Sequence, residues 1–491
     1  MIAITAAQVA EAVSGRLVGV LDPSAVTVTS VTTDSREVVP GTLFVAKPGQ
    51  STDGHHFLPQ AAHAGAVLHL TEREVAEESG TPVPSVVVED VVLAMGALAS
   101  HVLGQLRADH AVTVVAVTGS VGKTTTKDLL HGIFSAQGPT VAPRNSYNGE
   151  VGVPLTVFTA TEETEFFVIE MGATHIGNIR YLCEMVRPDV GAVLCVGSAH
   201  AGEFGGVDNI ARAKGEMVEA LAPEGTAVLN DDDARVRAMR ERTVARVVSF
   251  GQGPEAHDAA TADPRVWAED VTTGADGCPV FTLHLPDGSE HPVRSKLIGV
   301  HHVTNLLAGA AVAWSAGVDP AQIAAGLEGG ARSRWRMERT ERADGVTVIN
   351  DAYNANPQSM KAALQTLAQL GRGNAEHPAR RTIAVLGAMH ELGEDSVQAH
   401  ADLGQLLVRL NISHVLAVGD LARPVFTAAT LEGSWGEEAA WVPDAEHAEE
   451  YLREQLRPGD IVLLKSSNAA GLNHLGDRIA ASGSETIQRE V

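Results

Sequence analysis

The stretch VTVVAVTGSVGKTTTKDLLHGIFSAQG, residues 112–138, decides how the rest of the chain is read. VTVVAV is an apolar strand, KDLLHGIFSAQG has helical spacing, and a glycine-rich loop joins them. Such a loop turns its backbone N–H groups inward around a polyphosphate, and the helix N-terminus adds free donors and a favourable dipole. Gly119, Ser120, Val121 and Gly122 make the loop. Lys123 is placed to span the β- and γ-phosphates of ATP, and the hydroxyl of Thr124, followed by Thr125, to face Mg²⁺. Val117 stands where the usual pattern has its first glycine. The bland alternative, a glycine turn before a solvated lysine, requires the Gly-Lys-Thr-Thr-Thr run to be a coincidence.

Outward from this loop the chain repeats the same grammar. The apolar runs FFVIEMG (166–172), GAVLCVG (191–197) and TAVLN (226–230) alternate with helix-length stretches, as in a buried parallel sheet with crossover helices. Sheets of this kind place ligand-contacting residues at the carboxyl ends of strands. Glu170 ends one run and His200 closely follows another, so a carboxyl for Mg²⁺ and an imidazole for a second metal are expected beside the loop. Either could instead be an ordinary capping or loop residue. Lys214, in NIARAKGEMVEAL, falls on a helix, where a solvated lysine is the plain expectation.

A second alternation, VTVIND (346–351), TIAVLG (382–387), SHVLAVG (413–419) and DIVLLKSS (460–467), reads as another doubly wound unit. Before the loop, TLFVAKPG (42–49), AVLHL (66–70) and the helical VVLAMGALASHVLGQL (91–106) read as a small α/β domain. The fold class expected is α/β with three domains: a small N-terminal domain over 1–108, a central P-loop parallel-sheet domain over 109–334 and a C-terminal Rossmann-like domain over 335–491. A chain of 491 residues with 48 glycines and 44% hydrophobic residues suits several cores better than one.

Composition excludes some partners. With 36 Lys+Arg against 61 Asp+Glu, the formal charge of -25 repels polyanions, so nucleic acid is not expected and an anionic ligand must be captured by specific loops and metal. No signal-peptide pattern opens the sequence, and no run approaches ~18 uninterrupted apolar residues, so a cytoplasmic location without membrane insertion is expected. Cys183, Cys195 and Cys278 lack metal-ligand spacing and read as buried inert thiols. No G-x-G-x-x-G fingerprint supports a dinucleotide oxidoreductase, and a P-loop ATPase without ligation would leave the first hundred residues without purpose.

Taken together, TGSVGKTTTK, NSYNGEVGVPLT (145–156), VIEMGATHIGNI, SAHAGEFG, ARAKGEM, AVLNDDD, GVHHVTNLLAGAAVA (299–313), VINDAYNANPQSMKAAL (348–364) and IAVLGAMHELGEDS (383–396) resemble the Mur ligase superfamily, and the last two resemble its D-alanyl-D-alanine-adding branch. The resemblance implies an ATP-dependent peptide ligase acting on UDP-N-acetylmuramoyl-tripeptide and D-alanyl-D-alanine through an acyl phosphate; a monomer is expected, although the sequence itself carries no signal of oligomeric state. Sibling ligases and folylpolyglutamate synthetases share that chemistry. It further implies that Thr124 and Glu170 hold one Mg²⁺, that His200 and Lys214 serve a second metal with Lys214 as an N6-carboxylysine, and that Asn148 and Asn305 lie near the nucleotide. Arg336 would reach the phosphates and Asp351 the ribose, both by domain closure. Thr33-Asp34-Ser35-Arg36 and the Lys47 loop resemble the uridine diphosphate region, giving Ser35, Arg36 and Lys47 as substrate contacts; a polar turn with an Asp–Arg pair is the alternative. His302, Ala388 and Asn468 depart from the family pattern.

Overall fold

Among the described residues, the short apolar runs flanked by helical stretches fold into three large sheets and one two-stranded ribbon. A computed structural model describes residues 1–49, 52–77, 79–197, 204–253, 263–330, 333–373, 378–433 and 438–482. The first region carries a five-stranded sheet, in the order Arg16–Val18, Ser85–Val87, Ala66–Thr71, Thr42–Val45, Ser30–Thr32, and a two-stranded ribbon of Ile4–Thr5 with Thr27–Val28.

The central sheet has nine strands. Thr113–Thr118 lies between Phe166–Glu170 and Val190–Val193, parallel to both, with Glu170 opposite Val117. Thr226–Asn230 and Arg246–Gln252 continue the parallel run. Beyond Arg265–Thr273 the sheet turns antiparallel through Pro279–His284 and Glu290–Arg294, an extension that the parallel-sheet reading did not include. Its turn Leu285-Pro-Asp-Gly-Ser289 is a hairpin signal, but alternating polar residues on these strands break the apolar run by which buried strands are recognised.

The third sheet has six strands, in the order Glu338–Glu341, Thr347–Asn350, Ile461–Lys465, Thr382–Leu386, His414–Val418, Ala439–Val442, and only its Glu338–Glu341 edge is antiparallel. The α/β reading with three units therefore holds.

One helix reaches membrane-crossing length without forming an uninterrupted apolar run. Val91–Asp109 is, by length and composition, long and apolar enough to cross a membrane, although small and polar residues interrupt its apolar run. Half of that window is buried inside the protein. Its apolar side joins a core that runs without a break from Val45 and Leu70 of the first sheet to Val114, Phe167 and Leu182 of the central unit.

Candidate functional site

Strand ends and helix starts converge on a cavity of about 1300 Å³ between the central and third sheets, reached by Thr33 from the first region. The phosphate loop forms its floor. Gly122 starts the helix Lys123–Ser135 at φ +86°, a left-handed conformation, and a Cβ there would lie 2.2 Å from Asn305 Oδ1. Glycine is thus required twice over, by backbone and by space. The Lys123 ammonium donates to Gly119 O at 2.8 Å, and burial lowers its pKa, partly opposed by Glu170.

Thr124 is the junction of the site. Its hydroxyl donates to Glu170 Oε2 at 2.8 Å, accepts from Arg336 Nη2 at 2.9 Å and meets Ser146 Oγ at 2.8 Å. Glu170 is 1% exposed, and its other oxygen accepts from Asn148 Nδ2 at 2.7 Å. A buried carboxyl beside a threonine hydroxyl is a hard-oxygen donor pair, which suits Mg²⁺ completed by phosphate oxygens and water. Among the described residues no group of three or more His, Cys, Asp or Glu forms a metal cluster.

Lys214 is 5% exposed, on the inward face of the helix Val207–Glu219, and lines the same cavity. Burial first, and the Lys123 ammonium second, bring its pKa down to about 7. Among the described residues it has no hydrogen-bond or ion-pair partner, so the plain solvated reading is not what the fold provides. His200 lies outside the described residues. The strand-end loop that leads to it is stitched to the phosphate loop: Ser120 N donates to Cys195 O at 3.0 Å and Gly197 N donates to Ser120 Oγ at 2.8 Å.

The third unit enters through Arg336, whose guanidinium also donates to Ser146 Oγ at 3.1 Å and stacks 4.3 Å from the centre of the Tyr353 ring. Ser146 N donates to Tyr353 Oη at 3.2 Å. Asp351, at the end of Thr347–Asn350, accepts from Met337 N at 3.1 Å and from the buried Lys465 ammonium at 2.6 Å. Asn305 donates to His302 Nδ1 at 3.1 Å, while His302 Nε2 is buried with no partner among the described residues and burial holds this ring well below ordinary histidine values. His301, beside it, is brought to about 4 by burial, with Asp351 opposing.

Lys123, Thr124, Thr125, Asn148, Glu170, Lys214, Asn305, Arg336 and Asp351 therefore share one cavity with Gly119, Ser120, Val121 and Gly122. Ser35, Arg36 and Lys47 do not line it. Arg36 pairs with Asp34 at 2.6 Å in an exposed turn, holding the Asp34 carboxyl down at about 2, and Ser35 Oγ donates to Gln60 Oε1 at 3.2 Å. Lys47 sits where its backbone O accepts from Gly54 N at 3.0 Å.

The cysteine reading needs one correction. Cys183 and Cys278 are buried, but Cys195 is only partly so and forms part of the cavity wall, because its strand ends at the loop. Lys465, Ser146 and Tyr353 are site residues that sequence reasoning did not single out. Lys465 could have been found by the same strand-end rule that found Glu170, since it closes the apolar run DIVLLK.

Three domain descriptions match in order: Mur ligase family, catalytic domain, over 27–102; Mur ligase middle domain over 117–313; and Mur ligase, glutamate ligase domain, over 335–468. The UDP-N-acetylmuramoyl-tripeptide--D-alanyl-D-alanine ligase of Mycobacterium leprae is 40% identical, covering 98% of this chain and 99% of that protein. MurF of Acinetobacter baumannii is a structural neighbour at TM-score 0.84 and 32% identity, covering 97% of this chain and 99% of that one. MurF of Thermotoga maritima, solved in complex with ADP, matches at TM-score 0.76 and 27% identity over 93% of this chain and 98% of that one. Strand-loop-helix, cavity and full-length likeness agree, and the chain belongs to the Mur ligase family, in its UDP-N-acetylmuramoyl-tripeptide–D-alanyl-D-alanine ligase branch.

Proposed function

We propose that the chain joins D-alanyl-D-alanine to UDP-N-acetylmuramoyl-tripeptide at the expense of ATP, releasing ADP and phosphate, in the synthesis of a peptidoglycan precursor. The observation that carries the reading is the convergence of Lys123, Thr124, Glu170, Lys214 and Arg336, from two units, on one cavity. A precursor carboxylate oxygen attacks the γ-phosphorus and the bond to ADP breaks, which gives an acyl phosphate. The dipeptide amine attacks the acyl carbon and loses a proton, and the carbon–phosphate oxygen bond then breaks to leave the amide.

Both steps crowd anions together, so their barrier is set by how well fixed positive charge meets them. Lys123 and Arg336 supply cations from two different units. Thr124 and Glu170 would hold Mg²⁺, which when bound neutralises phosphate charge; Asn148 fixes the Glu170 carboxyl. A buried lysine with no anionic partner among the described residues, beside a second ammonium, is unfavourable as a cation. The neutral Lys214 amine favoured by that burial can add to CO₂ and lose a proton, becoming an N6-carboxylysine that would serve a second metal with His200. Asn305 and Asp351 would bound the nucleoside, and the Ser35, Arg36 and Lys47 region the uridine diphosphate. In this reading 1–108 binds the precursor, 109–334 binds ATP and 335–491 closes the site, in the cytoplasm.

The test is product mass. Purified protein incubated with UDP-N-acetylmuramoyl-tripeptide, D-alanyl-D-alanine and MgATP should yield a product heavier by the dipeptide less water, one ADP per product. Phosphate release that is independent of both peptide substrates would overturn the reading in favour of a plain ATPase.

A further inference from the structure

Arg336 stands between two residues with left-handed backbones, Trp335 at φ +58° and Met337 at φ +50°. Neither is glycine or asparagine, so each costs on the order of 1 kcal/mol or more and persists only where its surroundings impose it. The surroundings include four carboxyls, one of which, on Glu338, accepts from Trp335 N at 2.9 Å. Asp128, on the helix of the phosphate loop, accepts from Ser333 Oγ. Asp351 accepts from Met337 N at 3.1 Å. Asp477, on the helix Leu472–Ala481 behind the third sheet, accepts from the Trp335 indole Nε1–H at 3.0 and 3.1 Å.

Asp477 is itself braced. It pairs with Arg334 at 2.8 Å and accepts from Asn350 Nδ2 at 3.3 Å, while the Arg334 guanidinium lies 4.7 Å over the Trp335 ring. His474, one turn earlier on the same helix, meets that ring edge-on at 5.4 Å. The indole is thus held by its N–H and by contacts to its ring. With Trp335 pinned to one unit and Arg336 bonded to Thr124 and Ser146 of the other, the backbone reversal at 335–337 has little freedom left.

We propose that Asp477, acting through the Trp335 indole, is a positioning residue that holds the Arg336 guanidinium over the phosphate loop. Asp477 does not line the cavity. Its effect is to keep the strained pair Trp335 and Met337 in the one backbone arrangement that aims Arg336 at Thr124, so that ordering the arginine is not left to the moment of nucleotide binding. The inference rests on the reading of Arg336 as the arginine that meets ATP.

A double-mutant cycle tests it. Trp335→Phe keeps the ring and removes the N–H, and should lower kcat/KM for MgATP on the order of tenfold, the size of one hydrogen bond to a charged acceptor. Asp477→Ala should match it. Asp477→Asn, which keeps an acceptor for the indole, should recover part of the loss. In an Arg336→Ala background Trp335→Phe should have no further effect, because there is no guanidinium left to position. The same cycle read as MgATP affinity by calorimetry needs no ligation. A wild-type protein that binds MgATP yet ligates nothing would therefore count against the ligase reading while the cycle still judges the clamp. Unchanged kcat/KM and affinity in Trp335→Phe, or equal losses with and without Arg336, would overturn the proposal, as would losses that only track a lowered melting temperature.

Discussion

Lys214 is where residue chemistry departs furthest from a helix-surface expectation. Its helix turns it inward, burial and Lys123 lower its pKa to about 7, and an uncharged amine at neutral pH is the form that reacts with CO₂. Lys214→Ala should lose most ligation and regain part of it with added short carboxylic acids, which place an anion in the vacated space. Lys214→Arg should stay inactive, since a guanidinium keeps its charge and forms no carbamate. Normal turnover of Lys214→Ala in a ligation assay, unresponsive to carboxylate, would remove the carbamate and leave the Thr124, Glu170 and Lys123 set standing.

At the scale of elements, two helices meet at a point where no side chain fits. A Cβ on Gly96, in Val91–Asp109, would lie 2.1 Å from Tyr181 Oη, in Asn178–Val186, and that hydroxyl is buried with no partner among the described residues. Burial pushes the phenol up to about 12. Gly96→Ala should cost about 1–3 kcal/mol by overpacking. Tyr181→Phe removes a hydroxyl that earns no hydrogen bond, and should be neutral or stabilising by up to ~1 kcal/mol. Urea unfolding of the double variant should show the glycine loss largely recovered; strict additivity would refute the contact.

Buried histidines give these elements an acid limit. His301 is lowered from 6.5 to about 4, chiefly by burial, and His400 is lowered too. His400 accepts Met389 N at Nε2 (3.0 Å) and donates from Nδ1 to Ser396 O at 2.6 Å, which fixes a neutral ring under the loop after Thr382–Leu386. The unfolded chain takes up these protons first. The stability that these neutral rings contribute is therefore fully present above about pH 6.5 and should be lost as pH drops from there, for His301 towards 4, by up to ~1.4 kcal/mol per pH unit. Melting curves at several pH values check this, and His301→Gln should flatten the decline. An unchanged slope in that variant would assign it elsewhere.

Across the whole molecule, apolar contact is unevenly shared. The first and central units have a common core, whereas the third has cores of its own around Ile349, Leu364 and Leu386 and around Val348, Leu416 and Leu464, joined by Cys278 and Ile298 of the central unit. Much of the remaining contact at this seam is polar: Arg336 to Thr124, Ser146 to Tyr353, and Arg339 Nη1 to Asp276 O at 3.1 Å. Scanning calorimetry without ligand should resolve a transition for the third unit apart from a joint one for the other two, and MgATP should draw them together by binding across the seam. A single transition with and without nucleotide would contradict this division.

What the linear chain determined by itself was local: the strand, glycine turn and helix at 112–138, the strand-end Glu170, and the apolar alternations that name two parallel sheets. These are legible because periodicity and turn chemistry act between near neighbours. The antiparallel strands 265–294 escaped because their polar alternation has no meaning until one knows which face is covered. Only tertiary structure decided that Lys214 faces inward beside Lys123, that Arg336 from another unit lands 2.9 Å from Thr124, and that the local Asp34–Arg36 pair, which the sequence offered as an alternative, lies outside the main cavity. Burial and long-range contact set the first two outcomes, and neither shows in a local pattern: Arg336 and Thr124 are separated by 212 positions.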